Sequence, residues 1–202
     1  MNSEQERDEE RRHFFDQSAD GWEERNYSPE LKSEVEQLAA TLEIERGMTI
    51  LDAGCGQGVL LPYLRKCAGN EGRLIALDAS APMLKNIAAK DSAAWAIHSS
   101  AENIPLIDEY VDMVVCFSAF PHFSDKAAAA KEFFRVLKPG GRAYVLHLGS
   151  SDMINRHHDS HHAVKGDHLP CAHGMQSIFK GAGFSQANLD EGEKHYRFSA
   201  VK

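Results

Sequence analysis

Three glycines fall within five residues, Gly54-Cys55-Gly56-Gln57-Gly58, directly after an apolar run that ends in Asp52-Ala53. Glycines so placed let the backbone turn tightly and approach a ligand with no side chain in the way. A dinucleotide loop reads G-x-G-x-x-G, whereas here the third glycine comes one residue sooner. An acid two residues ahead of the first glycine is awkward beside a pyrophosphate and favourable beside a cationic ligand. Asp78 ends a second apolar run, where a carboxylate can accept hydrogen bonds from both hydroxyls of a ribose. Its alternative role is to cap the next helix, for which Ser80 is better placed. The pair describes a site for a cationic ligand that carries an adenosine.

Histidine is the second concentration of chemistry. His122 follows the apolar run 111–117, and His147 lies near the end of another, 142–148. Beyond them stand His157, His158, His161, His162, His168 and His173, with Asp159, Asp167 and Cys171 interspersed. If 152–163 is helical, His157/His161 and His158/His162 are i, i+4 pairs, able to share one metal ion. With His147 or Asp167 as a further ligand, the candidate set for a divalent transition metal is His147, His158, His162 and Asp167. Without metal, His122, His147 and His158 are candidate acid–base groups, because imidazole titrates near neutrality. A histidine-rich stretch can equally be solvated surface.

The surrounding pattern supplies the frame. Apolar runs at 48–53, 73–78, 94–98, 111–117 and 142–148 alternate with helical segments at 59–67, 81–89 and 126–137. Such alternation predicts a parallel sheet covered on both faces. A helix ending near Gly183 and strands near 186–189 and 196–201 close the chain, the last two as an antiparallel hairpin. The expected fold is a single doubly wound, mostly parallel seven-stranded α/β sheet. Residues 1–46 read as an arm and helical cap over the cofactor site, with 1–12 frayed and solvated. Residues 47–202 form the binding domain, and 149–175 its histidine-rich cover.

A chain of 202 residues with net charge −8 is a poor match to nucleic acid, which needs a basic surplus or stripe. No apolar stretch approaches the roughly 20 residues of a membrane span. The charged first dozen residues carry no apolar core, so no leader is expected. The four cysteines form no C-x-x-C pair and read as reduced thiols of a cytoplasmic protein, monomer or homodimer.

Four segments carry a family resemblance: Leu51–Gly58, Leu77–Leu84, Ala101-Glu102-Asn103-Ile104-Pro105 and Leu137-Lys138-Pro139-Gly140-Gly141. Together they resemble the class I S-adenosylmethionine-dependent methyltransferases, in particular the type 11 branch that includes ubiquinone/menaquinone methyltransferases. The resemblance implies a Rossmann-like fold and S-adenosylmethionine as cofactor, whose ammonium and sulfonium suit Asp52. It implies that Asp52, Gly54 and Gly56 line the methionine end and that Asp78 holds the ribose. Ala79 and Met83 would pack on the adenine, Ala101 and Glu102 at its edge, and Phe117 near the methionine. Where the family often has an acid before the Ala-Glu pair, this chain has Ser100. The implied activity is methyl transfer to a small-molecule acceptor, metal-assisted if the histidines bind an ion. The alternative is a non-catalytic cofactor-binding or metal-responsive module.

Overall fold

The computed structural model describes residues 3–202, with side chains from Glu6 onward. Seven strands make one sheet: β1 (Thr49–Ala53), β2 (Arg73–Asp78), β3 (Trp95–His98), β4 (Val111–Phe117), β5 (Leu137–Leu148), β6 (Ser185–Glu191) and β7 (His195–Val201). Their spatial order is β3-β2-β1-β4-β5-β7-β6. The first five are parallel, and β7 runs antiparallel between β5 and β6. The expected doubly wound sheet with its C-terminal hairpin is the observed one.

Strand alternation explains why both faces are covered. On β4, Met113, Val115 and Phe117 enter one apolar layer with Leu61 and Leu64 of helix α4 (Leu61–Ala68). Val114 and Cys116 enter the opposite layer with Phe133 and Phe179, from helices α6 (Lys126–Val136) and α8 (Ala172–Ala182). Side chains of period two on a strand buried on both sides require this. Pro62 sits in the first turn of α4, where its missing N–H costs nothing. Gly183 ends α8 at φ 111, the left-handed conformation that glycine adopts most easily.

Three local expectations are corrected. Of the arm expected at 1–12, residues 3–12 are not frayed: helix α1 spans Ser3–Ser18 and is tied down by Arg7 and Arg11, while Met1 and Asn2 lie outside the described residues. Helices α2 (Trp22–Asn26) and α3 (Pro29–Ala39) complete the cap, the latter started by Ser28, whose hydroxyl accepts from the Leu31 N–H. Ser80 does not cap the 3₁₀ turn at Met83–Asn86 that leads into α5 (Ile87–Lys90); its hydroxyl donates to Asp16 of α1 instead, at 2.5 Å. Helix α7 spans Ser151–Ser160 and stops because His161 takes an extended conformation, so His162 leaves the helix and the His158/His162 pair is broken.

Candidate cofactor and acceptor site

Strand order reverses between β1 and β4, and ligands of open parallel sheets bind beyond the strand ends at such a point. A cleft of about 1250 Å³, counting the open space at its mouth, lies there. Its floor is the glycine loop. The N–H groups of Gly54 and Cys55 both donate to the Leu77 carbonyl, which staples the loop to the end of β2.

The three glycines have different reasons to be glycine. All have positive φ, but a Cβ on Gly54 would lie 2.4 Å from that of Ala119, and one on Gly58 would strike Leu61 and Ile87. A Cβ on Gly56 would meet nothing within 4 Å. Its bare face is open to the cleft.

Asp52 is 1% exposed, and neither carboxylate oxygen has a hydrogen-bond partner among the described residues. Burial, reinforced by the charge of Asp78, pushes its pKa up to about 8. A carboxylate buried without a partner is costly, and a cation placed against it would relieve that cost. The ammonium and sulfonium of S-adenosylmethionine would supply one, so the residues present fit the cofactor. Asp78 accepts from the Gly56 and Ser80 N–H groups, each at 2.8 Å, leaving further lone pairs for ribose hydroxyls. Burial raises its pKa too, against those two hydrogen bonds. Ala79, Met83, Ser100, Ala101, Glu102 and Phe117 all line the cleft. Glu102 is partly engaged, accepting from the Ser124 and Asp125 N–H groups.

The roof comes from the cap. Arg11, Arg12 and Phe15 of α1, Trp22 and Glu23 of α2, and Tyr27 line the cleft opposite the loop. The sequence reading missed these as site residues, because Phe15, Trp22 and Tyr27 match ordinary helical core spacing. Gln57 was missed as well. Its amide donates to the Ala19 carbonyl and accepts from the Glu23 N–H, fixing the cap to the glycine loop. Ser118, at φ 54, is a non-glycine in left-handed backbone at the end of β4, and it too lines the cleft.

The histidine candidates separate. His122 lines the cleft, with its Nδ1 2.9 Å from Asp167 Oδ2 and its ring edge-on to Phe15. His158 lies behind it, ring centroids 4.7 Å apart, and its Nδ1 is 2.5 Å from the Asp167 carbonyl. His147 is 3% exposed, does not line the cleft, and packs edge-on against Tyr196. Burial, with His122 and His158 nearby, lowers its pKa to about 3. Asp167 is committed to Arg7, Arg11 and His122, which leaves its carboxylate little capacity for a metal. Among the described residues no three or more His, Cys, Asp and Glu are gathered closely enough to hold a metal ion. The set His147, His158, His162 and Asp167 is not assembled.

This fold is the Rossmann-like one of the class I methyltransferases. A methyltransferase-domain family model matches residues 51–145, and this segment is similar to the type 11 branch of the S-adenosylmethionine-dependent methyltransferases. It is 34% identical over 120 residues to malonyl-[acyl-carrier protein] O-methyltransferase of Pseudescherichia vulneris, covering 59% of this chain and 47% of that one. It is 33% identical over 122 residues to demethylmenaquinone methyltransferase of Lactiplantibacillus plantarum, covering 57% and 52%. The chain thus spans about half the length of these relatives. Among solved structures, a chain of the Haloferax volcanii complex between the Trm112 methyltransferase activator and a methyltransferase shares the fold. There the TM-score is 0.75 at 22% identity, over 93% of this chain and 96% of that one. No helix among the described residues is long and apolar enough to cross a membrane.

Proposed function

We propose that this chain transfers a methyl group from S-adenosylmethionine to a small-molecule acceptor held between the glycine loop and the N-terminal cap. The observation that carries this reading is the unpartnered, buried carboxylate of Asp52 beside the open face of Gly56. When bound, the cofactor supplies an electrophilic methyl group on a cationic sulfur. The chain's own residues bind and orient. Asp52 balances positive charge at the methionine end, Asp78 anchors the ribose, and Ala79, Met83 and Ala101 flank the adenine. Phe15, Trp22, Tyr27 and Phe117 wall the space beyond and exclude water, which favours a compact aligned encounter.

His122 is the proton acceptor of this reading. Burial lowers its pKa, against the opposing pull of Asp167, so the ring is neutral and able to accept a proton at neutral pH. His147 and His158, set behind the wall, are second to it. The relatives are named for a carrier-bound malonyl group and for demethylmenaquinone, and the apolar-walled cleft between glycine loop and cap supports the small-molecule acceptor here. Titration calorimetry with S-adenosylmethionine, followed by S-adenosylhomocysteine release over an acceptor panel, tests the proposal. Micromolar binding with turnover on at least one acceptor is expected; no binding overturns it.

A further inference from the structure

Asp167 entered as a candidate metal ligand, and its surroundings assign it other work. It is 4% exposed and sits between the wall of the cleft and the N-terminal helix. One oxygen, Oδ1, is 2.9 Å from Arg7, while Oδ2 faces His122 Nδ1 at 2.9 Å and Arg11 Nε at 3.2 Å. Arg11 also donates to the His122 carbonyl. Helix α1 and the segment after α7 therefore meet on the residue pair that borders the acceptor space.

We infer that Asp167 is a positioning residue: it holds His122 in the Nδ1–H tautomer, leaving Nε2 bare toward the cleft to take the acceptor's proton. This rests on the methyl-transfer reading given above. The argument is one of donor count. A neutral imidazole has a single N–H, and an ionised carboxylate can only accept. Burial pushes the Asp167 carboxyl up, but the hydrogen bond from His122 and the charges of Arg11 and Arg7 outweigh it and keep the group ionised. The proton facing Asp167 must then belong to Nδ1. His122 Nε2 makes no hydrogen bond among the described residues, although the ring lines the cleft.

In the transfer step the acceptor's nucleophilic atom forms a bond to the methyl carbon. The carbon–sulfur pair stays on sulfur, and the acceptor's proton passes to Nε2. The resulting imidazolium keeps its Nδ1–H on Asp167 until the Nε2 proton leaves to solvent. The charged or titratable groups facing the pair are Arg7, Arg11 and Asp8 from α1, Lys126 from α6, His147 from β5 and His158 from α7. All but Asp8 are cationic or neutral, so Asp167 is the anion that directs His122.

Long-range ¹H–¹⁵N correlation spectra of the full chain, with His122 assigned through His122→Gln, read the tautomer without any turnover. The expected wild-type spectrum has Nδ1 protonated and Nε2 bare. Asp167→Ala should abolish that preference and lower the His122 titration midpoint, since the remaining neighbours oppose protonation. Its kcat should fall at least tenfold with the donor KM unchanged, and Asp167→Asn, whose amide oxygen can still accept from Nδ1–H, should recover part of the loss. A wild-type Nε2–H tautomer, or a tautomer and midpoint unmoved by Asp167→Ala, overturns the assignment. If Asp167→Ala does not fold, the wild-type tautomer alone decides. Calorimetry with S-adenosylmethionine on the same sample separates the two ideas: absent binding sinks the methyl-transfer reading whatever the tautomer proves to be.

Discussion

The side-chain amide of Gln57 accepts the Glu23 N–H at 2.8 Å, across 34 residues of sequence, and so joins the glycine loop to the start of α2. Its Nε2 donates to the Ala19 carbonyl at 2.7 Å, and the residue is buried. One side chain thus satisfies both polar groups where the chain turns from α1 into α2. Cofactor loop and roof are mechanically one unit.

Gln57→Ala leaves the buried Glu23 N–H unpaired and takes one of two donors from the Ala19 carbonyl, which keeps the Trp22 N–H, a cost of about 1–3 kcal/mol. Denaturant unfolding should show that loss. Amide exchange should accelerate in Ser18–Tyr27 before it does in β1 or β4. An unchanged exchange pattern there would mean that the cap is held mainly by the Asp167 and Ser80 contacts.

How far the sequence could reach follows from which residues interact locally. The G-x-G-x-G spacing and the acids at 52 and 78 are short-range features, and the strand order placed them together as expected. The roof was not legible in the same way. Phe15, Trp22 and Tyr27 repeat at a spacing that suits any amphipathic helix, and only the folded-over α1 and α2 turn them toward the cleft. The buried network of Arg7, Arg11, His122 and Asp167 spans up to 160 residues, and no periodicity announces such a contact. The helical reading of 152–163 failed at one backbone step, His161, and with it went the spacing that made the metal site attractive.

Gly54 and Gly56 should fail differently when each is replaced by alanine. Gly54→Ala drives a Cβ into Ala119 and should destabilise the fold. Gly56→Ala has free space and bears only the strain of a left-handed non-glycine, about 1–2 kcal/mol. Its cofactor affinity should fall by more than its stability, and Gly56→Val should abolish binding. Normal calorimetric binding by Gly56→Val would remove the ligand from this face.

Asp78→Ala should weaken S-adenosylmethionine binding by about 1–3 kcal/mol, the scale of hydrogen bonds to a charged group. Because Asp78 also accepts from Gly56 and Ser80, part of that loss is loop disorder. Asp78→Asn retains acceptor capacity on one oxygen and should lose less. Equal affinity across all three proteins would move the ribose contact elsewhere.

Asp52 gives a pH signature of opposite sense to the usual carboxylate. Burial, with Asp78 nearby, raises its folded pKa from 3.8 to about 8. The ligand-free folded protein therefore holds this proton more tightly than the unfolded chain does. Its contribution to stability is complete below pH 3.8 and is lost progressively as pH rises toward about 8. Asp52→Asn, which cannot ionise, should remove that decline, so that the urea midpoints of variant and parent run parallel in acid below pH 3.8, separate as pH rises and differ most from about pH 8 upward. A cationic cofactor favours the ionised carboxylate, so S-adenosylmethionine binding near pH 7 should release a proton. Calorimetry in buffers of different ionisation enthalpy measures that proton directly. Binding with no net proton release, in a protein whose Asp52→Asn variant binds equally well, would mean that the acid does not meet the positive end of the ligand.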